Sequence, residues 1–425
     1  MAIIYHMKTS LTKIIYTILL YLVIPVELVR LYFRGRIAPE YRLRWLERFA
    51  INLPAVKPDG IWVHTASVGE LFAALPVIRQ LFITHPDQVI TVTTMTPTGS
   101  KLVKDQLGDK VFHVYVPFDL PDAVSRFLNH IKPQKLLIME TELWPNIITA
   151  AHHRGVSIIL MNARLSERSA KGYQRVKSLT QSILKRISVI AAQHERDADR
   201  FLALGANKSS VLVTGSIKFD ISIDSSLITE GAKLREQFPS ELVWIAASTH
   251  RGEDIQILQA HHLIRKKYPT AQLIIVPRHP ERFDDVADVC AEQNFEFSRR
   301  SLNEDTQKAV YLGDTMGELL LLYAAADMAF VGGSLVETGG HNLLEPAALA
   351  KPIMTGPHDF NFKQVNQQLL TSNAAVRVMN AEQVAQQVIQ WQEHPEDKRL
   401  VGEKALEVVQ RNQGALKRLL SLIEQ

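Results

Sequence analysis

The chain has 425 residues, more than a single hydrophobic core usually serves, so we expect two domains. Its 46% hydrophobic and 22% charged residues are typical of a folded enzyme and exclude a long disordered protein. One cysteine, Cys290, excludes an internal disulfide and a thiolate zinc cluster. Since Cys290 lies on an apolar helical face, we predict that it is buried and structural.

The first predicted element is an apolar segment near the N-terminus. Residues 14–26 are apolar and uncharged, Glu27 interrupts them, and the apolar character resumes at Leu28. A helix that crosses a membrane needs about 20 apolar residues, so this segment is marginal for spanning. The alternatives are a helix that lies in the membrane interface and a buried helix of a soluble domain. No small-residue cleavage site follows, which argues against a removed signal peptide.

An arginine cluster follows the apolar segment. Its members are Arg30, Arg34, Arg36, Arg42, Arg44 and Arg48. The net charge of the chain is only +4, so this local excess stands out. Such a cluster could bind nucleic acid or anionic lipid, and the neighbouring apolar segment favours anionic membrane lipid and no nucleic acid. We therefore predict a membrane anchor over residues 1–35, with the rest of the chain at the cytoplasmic face of the inner membrane.

From residue 60 onward, short apolar runs alternate with helical patterns such as residues 71–82, which is typical of parallel sheets covered by helices. The first half has predicted strands at 61–64, 89–94, 111–116, 136–139, 157–161 and 189–192. A polar stretch at 221–226 precedes a second series, at 242–247, 273–276, 309–312, 328–331 and 353–355. The prediction is an α/β protein with two doubly wound, Rossmann-like domains, 36–222 and 223–425, facing each other across a cleft. The helical stretch 396–423 could return to the first domain.

Acidic motifs follow two predicted strands of the first domain, at the ends where open parallel sheets bind ligands. Glu70, in HTASVGE, could take a proton from a hydroxyl nucleophile, or it could merely complement a helix dipole. Glu140 and Glu142, in METELWPN, could stabilise charge or hold a cation. The alternative is ordinary acidity at a helix start, with Trp144 as a packing residue.

Basic motifs occur at the predicted domain junction and in the second domain. Lys218, in GSIKFD, could neutralise an anionic substrate group, or it could be a solvated surface lysine. Arg278, in PRHPERF, follows an apolar strand, and an arginine in this position can bind phosphate through two parallel hydrogen bonds. The two prolines of this motif restrict the loop, which favours a shaped site.

Glycine-rich connections follow two further predicted strands of the second domain. Residues 313–319, GDTMGEL, lead into a predicted helix whose free N–H groups could meet phosphate. Two glycine pairs, at 332–333 and 339–340, precede a predicted helix that starts near Asn342, with Glu345 able to accept ribose hydroxyls. The alternative is a tight turn followed by a capped helix.

Several common motifs are absent from the sequence, namely the G-x-x-x-x-G-K-[ST] phosphate loop, H-E-x-x-H and G-x-S-x-G. Histidine pairs occur at His152–His153 and His261–His262, on predicted helices. Adjacent residues of a helix do not share a face, so a joint metal site is not expected at either pair. We predict no cofactor and no obligatory metal.

Taken together, these motifs resemble the Kdo (3-deoxy-D-manno-octulosonic acid) transferases of lipopolysaccharide synthesis. The segments that carry the resemblance are the anchor with its arginines, ASVGE (66–70), TTMTPTGS (93–100), METELWPN (139–146), NARLSERS (162–169), GSIKFD (215–220), PRHPERF (277–283), GDTMGEL (313–319) and GGHNLLEPAA (339–348). The resemblance implies an inverting glycosyltransferase with the two-domain GT-B fold. It further implies CMP-Kdo as donor and lipid IVA as acceptor, and we expect two Kdo residues to be added.

The same resemblance implies residue roles. Glu70 matches the general base, which would deprotonate the 6′-hydroxyl of the acceptor, and Glu140 and Lys218 match residues that stabilise the transition state. The residues that match the CMP-binding segments are Pro277, Arg278, Met316, Gly317, Glu318, Asn342, Leu343, Leu344 and Glu345. The alternatives are a GT-B enzyme that uses another nucleotide sugar, such as a UDP-hexose, a non-enzymatic scaffold that binds nucleotide or lipid, and a membrane adaptor.

Overall fold

The computed structural model describes residues 2–36 and 38–425, and the side chains among them from Leu11 onward. The chain folds into two units, each built on its own parallel sheet. The first unit contains the chain up to Ile217 together with Gly414–Gln425, and the second contains Lys218–Gln413. The division lies five residues before the predicted boundary, at 217 instead of 222.

Seven strands form the sheet of the first unit. They are β1 Ile61–His64, β2 Ile90–Thr94, β3 Phe112–Tyr115, β4 Lys135–Met139, β5 Ser157–Ala163, β6 Val189–Ala192 and β7 Val211–Val213. Their order is β3-β2-β1-β4-β5-β6-β7, and every neighbouring pair is parallel. All carboxyl ends therefore lie along one edge of this sheet.

Side chains of the central strands alternate between two apolar layers. Trp62 and Leu136 pack into one layer, whereas Val63 and Leu137 pack into the other. Because both faces of the sheet are buried, its central strands are apolar along their whole length, as parallel strands usually are. This continuous apolar character made the central strands predictable.

The helices of the first unit cover both faces of its sheet. Those that precede the second unit in the chain are α1 Ala2–Arg34, α2 Val68–Thr84, α3 Pro97–Leu107, α4 Pro121–Ile131, α5 Pro145–His153, α6 Glu167–Arg175, α7 Lys177–Leu184 and α8 Glu195–Ala203. Several begin with a side-chain cap, for example Ser67 before α2, whose hydroxyl accepts a hydrogen bond from the N–H of Glu70. The caps fix where each chain segment turns from a strand end into a helix.

The second unit repeats this architecture. Its strands are β8 Val243–Thr249, β9 Gln272–Pro277, β10 Phe297–Arg299, β11 Val310–Leu312, β12 Met328–Val331, β13 Ile353–Thr355 and β14 Val376–Arg377, in the order β10-β11-β9-β8-β12-β13-β14 and parallel throughout. Its helices are α9 Ser225–Gln237, α10 Glu253–Lys267, α11 Phe283–Glu292, α12 Leu319–Ala325, α13 Leu344–Ala348, α14 Lys363–Thr371, α15 Ala381–Glu393 and α16 Pro395–Asn412. Cys290 of α11 is fully buried in the apolar core, which confirms its predicted structural role.

The final helix, α17 Ala415–Glu424, belongs to the first unit. Its residues Ala415, Leu419 and Ile423 are fully buried in the same apolar layer as Leu71 of α2. The prediction of one continuous helical stretch over 396–423 is wrong, because Gly414, with a φ of 86°, interrupts it between α16 and α17. A residue with a side chain is strained in that conformation, so glycine allows the chain to turn there.

Helix α1 is longer than the predicted apolar segment and packs along the first unit. The Tyr16 hydroxyl donates to Asp119 at 3.0 Å, and the Tyr21 hydroxyl donates to Asp122 at 2.8 Å. The side-chain amide of Asn146 donates to the Thr17 hydroxyl at 3.3 Å. The segment Leu11–Arg34 is long and apolar enough to cross a membrane, and most of its large apolar side chains are exposed.

Two members of the arginine cluster do not form an exposed basic surface. Arg48 is 6% exposed and donates to the backbone oxygen of Met95, and its guanidinium lies over the ring of Tyr115. Arg44 pairs with Glu47 at 2.6 Å and lies over the same ring. The predicted lipid-binding cluster therefore does not include these two, because they are part of the packing of the first unit.

Candidate active site

Glu70 lies at the carboxyl edge of the first sheet, in the first turn of α2. Its carboxylate accepts from the N–H of Ala66 at 2.8 Å and from the hydroxyl of Ser67 at 3.0 Å. The hydroxyl of Ser67 in turn accepts from the N–H of Glu70, so Ser67 caps the helix and the carboxylate of Glu70 binds back to the cap and to the residue before it. The predicted alternative, a carboxylate that stabilises the helix start, is thus part of what Glu70 does.

The environment of Glu70 also suits proton transfer. Only 9% of the residue is exposed, and this burial raises the pKa of its carboxyl to about 7. The charges of Glu142 and Glu140 act in the same direction, whereas the hydrogen bonds from Ala66 and Ser67 oppose the shift. A carboxyl with a pKa near neutral pH can both accept and release a proton under cellular conditions.

Glu140 and Glu142 follow β4, which is the neighbour of β1 in the sheet. This adjacency brings both carboxylates into the electrostatic field of Glu70, as the shift of its pKa shows. Glu140 has a φ of 53°, in the left-handed region that a side chain disfavours, and its N–H donates to the oxygen of Met161. Such a backbone conformation held by the surrounding structure is typical of functional sites.

Trp144 both packs and binds a carboxylate. Its indole N–H donates to Glu142 at 2.8 Å, and its ring contacts the buried core. Burial raises the pKa of Glu142, and Glu140 adds to this, whereas the hydrogen bond from Trp144 opposes it. The predicted packing role of Trp144 is therefore confirmed, and its indole also orients one member of the acidic group.

Lys218 lies in the single helical turn Ile217–Phe219, at the first position of the second unit. The backbone of this turn is held by Asn162, whose side-chain oxygen accepts from the N–H of Ile217 at 3.2 Å. Asn162 is fully buried, with a φ of 50°, and its own carbonyl accepts from Gln193 at 2.8 Å. Asn162 lies in NARLSERS (162–169), one of the segments that carry the resemblance, but its positioning role depends on a contact 55 residues along the chain.

In the second unit, Arg278 follows β9 at the carboxyl edge of the sheet. Its N–H donates to the oxygen of Thr249 at 3.1 Å, and its side chain is exposed. Pro277, the last residue of β9, is buried. The guanidinium of Arg278 lies near enough to Glu345 to oppose the rise in the pKa of this carboxyl that burial causes. Two of the predicted CMP-binding segments are thus close together.

The connection after β11 forms a second part of this edge, next to β9. Buried Asp314 accepts from Arg299 at 2.6 Å and from the N–H of Ser301 at 2.7 Å. Glu318 binds the guanidinium of Arg300 through two hydrogen bonds, of 2.7 and 3.1 Å, which lower the pKa of its carboxyl. These ion pairs fix both ends of the loop, and between them Met316 is 66% exposed and Gly317 has a φ of 86°.

A buried carboxylate organises the glycine-rich connection after β12. Glu253 has no exposed surface, and its oxygens accept from the N–H groups of Gly333, Ser334 and Leu335 at 2.7 to 3.0 Å. The N–H of His250 donates to the same carboxylate at 3.2 Å. Glu253 thus joins the connections after β8 and β12, which are neighbours in the sheet. Glu253 is not among the residues predicted from the sequence, although an acidic residue in a polar run after an apolar strand could have indicated it.

The helix after this connection differs from the prediction. It starts at Leu344 instead of near Asn342, and it has only five residues. The side-chain oxygen of Asn342 accepts from the N–H of Leu344 at 3.1 Å and so caps the turn. Leu343 and Leu344 are fully buried in the apolar core, so only their backbone could meet a ligand.

Three histidines, His250, His279 and His341, complete this edge of the second unit. The rings of His250 and His341 are hydrogen-bonded at 2.8 Å, and the ring of His279 lies 5.5 Å from that of His250. None of the three was assigned a role from the sequence, because they follow three different strands. They come together only because β9, β8 and β12 are neighbours in the sheet.

Comparison with known proteins agrees with this architecture. The family described as 3-deoxy-D-manno-octulosonic-acid transferase (kdotransferase) matches residues 43–221. The 3-deoxy-D-manno-octulosonic acid transferase of Haemophilus influenzae is 42% identical over 97% of this chain and 98% of its own length. The 3-deoxy-D-manno-octulosonic acid transferase of Bordetella pertussis is 33% identical over 89% of this chain and 90% of its own length. The crystal structure of Anabaena HepE in complex with UDP is similar in fold, with a TM-score of 0.55, 12% identity, and coverage of 86% of this chain and 98% of that one.

The two parallel-sheet α/β units are those of a GT-B glycosyltransferase. The candidate site residues lie along the carboxyl edges of both sheets, where open parallel sheets bind ligands. The chain belongs to the family of 3-deoxy-D-manno-octulosonic acid transferases, the Kdo transferases. The relatives match it over nearly their whole length, so the similarity includes both units.

Proposed function

We propose that the protein transfers Kdo from CMP-Kdo to the 6′-hydroxyl of lipid IVA, with inversion at the anomeric carbon and without a metal ion. The observation that carries this proposal is Glu70, a buried carboxyl whose pKa of about 7 suits a general base. Family membership supports the donor sugar. The acceptor, the position of attack and the addition of two Kdo residues rest on the resemblance of the site segments.

In the proposed reaction, the ionised carboxylate of Glu70 accepts the proton of the acceptor hydroxyl as its oxygen attacks the anomeric carbon. Attack on the face opposite CMP inverts that carbon. Glu140, and Lys218 at the start of the second unit, stabilise charge that develops during the transfer. The hydrogen bonds from Ala66 and Ser67 hold the carboxylate of Glu70 in one orientation, which favours proton transfer along a fixed path.

The leaving group is CMP, which carries a single phosphate. Arg278 would bind this phosphate through its guanidinium, as arginines at strand ends commonly do. Glu345 would accept hydroxyl groups of the ribose, and the backbone of the connections after β11 and β12 would line the site. Less charge develops on one phosphate than on a diphosphate, so these groups could stabilise it without a divalent cation. Among the residues that the structure describes, no group of three or more His, Cys, Asp or Glu side chains could hold a metal ion.

The lipid acceptor requires access to a membrane, and α1 supplies an attachment. Since Tyr16, Thr17 and Tyr21 hydrogen-bond to the first unit from the middle of the apolar segment, we propose that α1 lies along the membrane surface instead of crossing it. Its exposed apolar side chains would enter the lipid, and Arg34 and Arg36 would lie at the headgroups of the cytoplasmic leaflet.

The test of the proposed function is transfer by the purified full chain, with CMP-Kdo and lipid IVA as substrates. Glu70→Gln keeps the size of the side chain and removes the base, so we expect a loss of activity of about 100-fold or more. Glu167→Gln, at the exposed start of α6, is the matched control and should leave activity unchanged. Near-normal transfer by Glu70→Gln would exclude this residue as the base. Mass spectrometry of the product gives the number of Kdo residues added.

A ligand screen separates the proposed donor from other nucleotide sugars. CMP should raise the melting temperature of the protein, because a ligand that binds only the folded state stabilises it, and UDP should not. Stabilisation by UDP alone would favour a UDP-sugar transferase. Stabilisation by CMP with no turnover on any lipid acceptor would favour the non-enzymatic scaffold.

A further inference from the structure

The rings of His250 and His341 lie end to end in one plane. Their Nε2 atoms are 2.8 Å apart, the ring planes differ by 9°, and the ring centres are 5.0 Å apart. The ring centres are therefore separated by nearly the Nε2–Nε2 distance plus the distance from each Nε2 to the centre of its own ring, which means that the four points lie close to one line. Rings stacked face to face could not have this combination, so the contact is an in-line N–H···N hydrogen bond.

This geometry restricts how many protons the histidine pair, His250 with His341, can hold. One ring must donate and the other must accept, so the uncharged pair contains opposite tautomers. One more proton can be added, on a nitrogen that points away from the bond, and it gives the pair a single positive charge. A further proton would place two N–H donors against each other at 2.8 Å. The pair is therefore a site for one exchangeable proton.

The surroundings keep the histidine pair uncharged in the free protein. Burial lowers the pKa of His341 to about 3, and the positive charge of Arg278 adds to this, followed by His250 and His279. Burial also lowers the pKa of His250, with further contributions from His279, Arg282 and Arg278, and only the charge of Asp254 opposes them. Asp254 is itself ion-paired with Arg282, which limits its effect.

The backbone around the pair is shaped to admit the rings. A side chain at Gly333 would meet the ring of His341, since a Cβ atom built there lies 2.9 Å from Cδ2 and 3.0 Å from Nε2. The N–H of Gly340 donates to the oxygen of Gly333 at 2.7 Å, which closes the loop that carries His341. The glycines of this connection thus fix the histidine directly before Asn342, in the proposed donor site.

We propose that the histidine pair takes up one proton when the phosphate of the donor binds at Arg278, and that it gives this proton to the phosphate as CMP leaves. The inference rests on the proposed function, since it assumes that a CMP phosphate binds there. A bound phosphate would place negative charge beside the pair and offset the charge of Arg278, which adds to burial in discouraging protonation of the pair in the free protein.

The proton balance of the transfer is then complete. The bond between the anomeric carbon and the phosphate oxygen breaks, and its electron pair stays on that oxygen. The oxygen takes the proton of the histidine pair, so that CMP departs with one negative charge fewer. The acceptor oxygen forms the new bond to carbon, and its proton passes to Glu70. Both groups afterwards exchange their protons with water.

The test is the number of protons taken up when CMP binds to the full-length protein. Calorimetric titration at pH 7.5, in two buffers with different ionisation enthalpies, measures this number directly. Free CMP is already a dianion at this pH, because the second pKa of a phosphate monoester is about 6. We expect an uptake of about one proton per CMP bound. Cytidine, which lacks the phosphate, should bind without proton uptake.

The variants His341→Asn and His250→Asn should abolish this uptake while cytidine still binds, which shows that the fold is intact. Both variants should also weaken CMP binding about tenfold at pH 6.5, a pH at which the histidine pair of the wild type takes up its proton more readily. His262→Asn is the control, because His262 bonds to the oxygen of Gln293 outside the proposed donor site, and it should retain the uptake.

The outcomes are distinguishable. If CMP binds without proton uptake, or if uptake persists in His341→Asn, the inference is wrong and the proposed function stands. If neither CMP nor cytidine binds, the proposed donor fails and the inference falls with it. Uptake that is lost in either pair variant and kept in His262→Asn would support both.

Discussion

The carboxylate of Glu70 closes the first turn of α2 and is also the base that we propose. The two roles use the same hydrogen bonds, from Ala66 and Ser67, so the cap positions the base. The burial that makes this carboxyl a suitable base also lowers the free energy of unfolding. An ionised carboxylate that is largely removed from water is less stable than one in the unfolded chain.

The pH dependence of stability tests this cost. Because the pKa of Glu70 is about 7 in the folded chain and about 4.5 ordinarily, the folded chain binds more protons between these values. The contribution of Glu70 to the free energy of unfolding therefore falls as pH rises through this window, by up to about 3 kcal/mol. Glu70→Gln should raise the melting temperature at pH 8 relative to the wild type, and change it little at pH 4.5. An equal change in melting temperature at both pH values would contradict a raised pKa of Glu70 in the folded chain.

The same pKa predicts the pH dependence of catalysis. Since the base must be ionised to accept a proton, kcat/KM of the wild type should fall about tenfold per pH unit below pH 7. The residual activity of Glu70→Gln should lack this acidic limb. Initial rates with CMP-Kdo and lipid IVA between pH 5.5 and 8.5 measure both.

At the scale of elements, the connections at strand ends carry the chemistry, and buried polar groups fix their shape. Glu253, at the start of α10, does this by accepting four backbone N–H groups. Burial of a carboxylate costs free energy, and the hydrogen bonds from these N–H groups offset that cost. The carboxylate in turn satisfies N–H groups that would otherwise need water. The result is a connection after β12 that is ordered without regular secondary structure.

Substitution of Glu253 should therefore disturb both folding and donor binding. Glu253→Ala leaves four buried N–H groups without an acceptor, and we expect it to lower the free energy of unfolding by about 3 kcal/mol or more. Urea denaturation measures this loss. Glu241→Gln, at an exposed position before β8, is the control and should change the stability by less than about 0.5 kcal/mol. A wild-type value for Glu253→Ala would contradict the role assigned to this carboxylate.

Three short strands, β7, β10 and β14, were not predicted. Each lies at an edge of its sheet and has two or three residues, and of all these residues only Ser298 is buried. An edge strand has one neighbour and is not covered fully on both faces, so β10 (FSR) and β14 (VR) contain polar or charged residues. The apolar β7 (VLV) is only three residues long and lies between polar residues. β3, the remaining edge strand, was predictable because Val114 and Tyr115 are buried.

At the scale of the whole molecule, the chain closes on itself through α17. Leu419 of this helix is fully buried in the apolar layer of the first unit, although it lies in the last seven residues of the sequence. The first unit is thus completed by a segment that follows the whole second unit in the chain. This arrangement makes the stability of the first unit depend on α17.

Leu419→Ala should destabilise the first unit by about 2 to 5 kcal/mol, because it leaves a cavity in a buried layer. Leu400→Ala, on α16, removes the same atoms from a residue that is 46% exposed, and it should cost much less. Chemical denaturation of the two variants measures both losses in the free energy of unfolding. Equal losses for the two variants would show that α17 does not contribute to this core.

The proposed attachment of the whole molecule to the membrane depends on the exposed apolar side chains of α1. Leu22 and Val26 are 67% and 66% exposed on α1, so Leu22→Asp with Val26→Asp should abolish flotation with vesicles that contain anionic phospholipid. Ile83→Asp, at a position of α2 that is 72% exposed, is the control and should float like the wild type. If the double variant still floats, α1 is not the attachment.

The sequence by itself determined the class of fold, the central strands, the apolar N-terminal helix and the motifs that carry the resemblance. These features depend on local chemistry, since a strand buried on both faces must be apolar throughout, and a cap must be polar. Glu70, Arg278 and Glu345 could be selected from the sequence because each directly follows a strand or a glycine-rich turn.

Only the tertiary structure decided which of these residues meet and what their environment does to them. The pKa of Glu70, the four donors of Glu253 and the bond between His250 and His341 all depend on which strands are neighbours in a sheet. In these three cases burial, charge and hydrogen bonds act through space between residues that are up to 91 positions apart. Such contacts leave no pattern in a single sequence, because neither partner needs a particular neighbour along the chain.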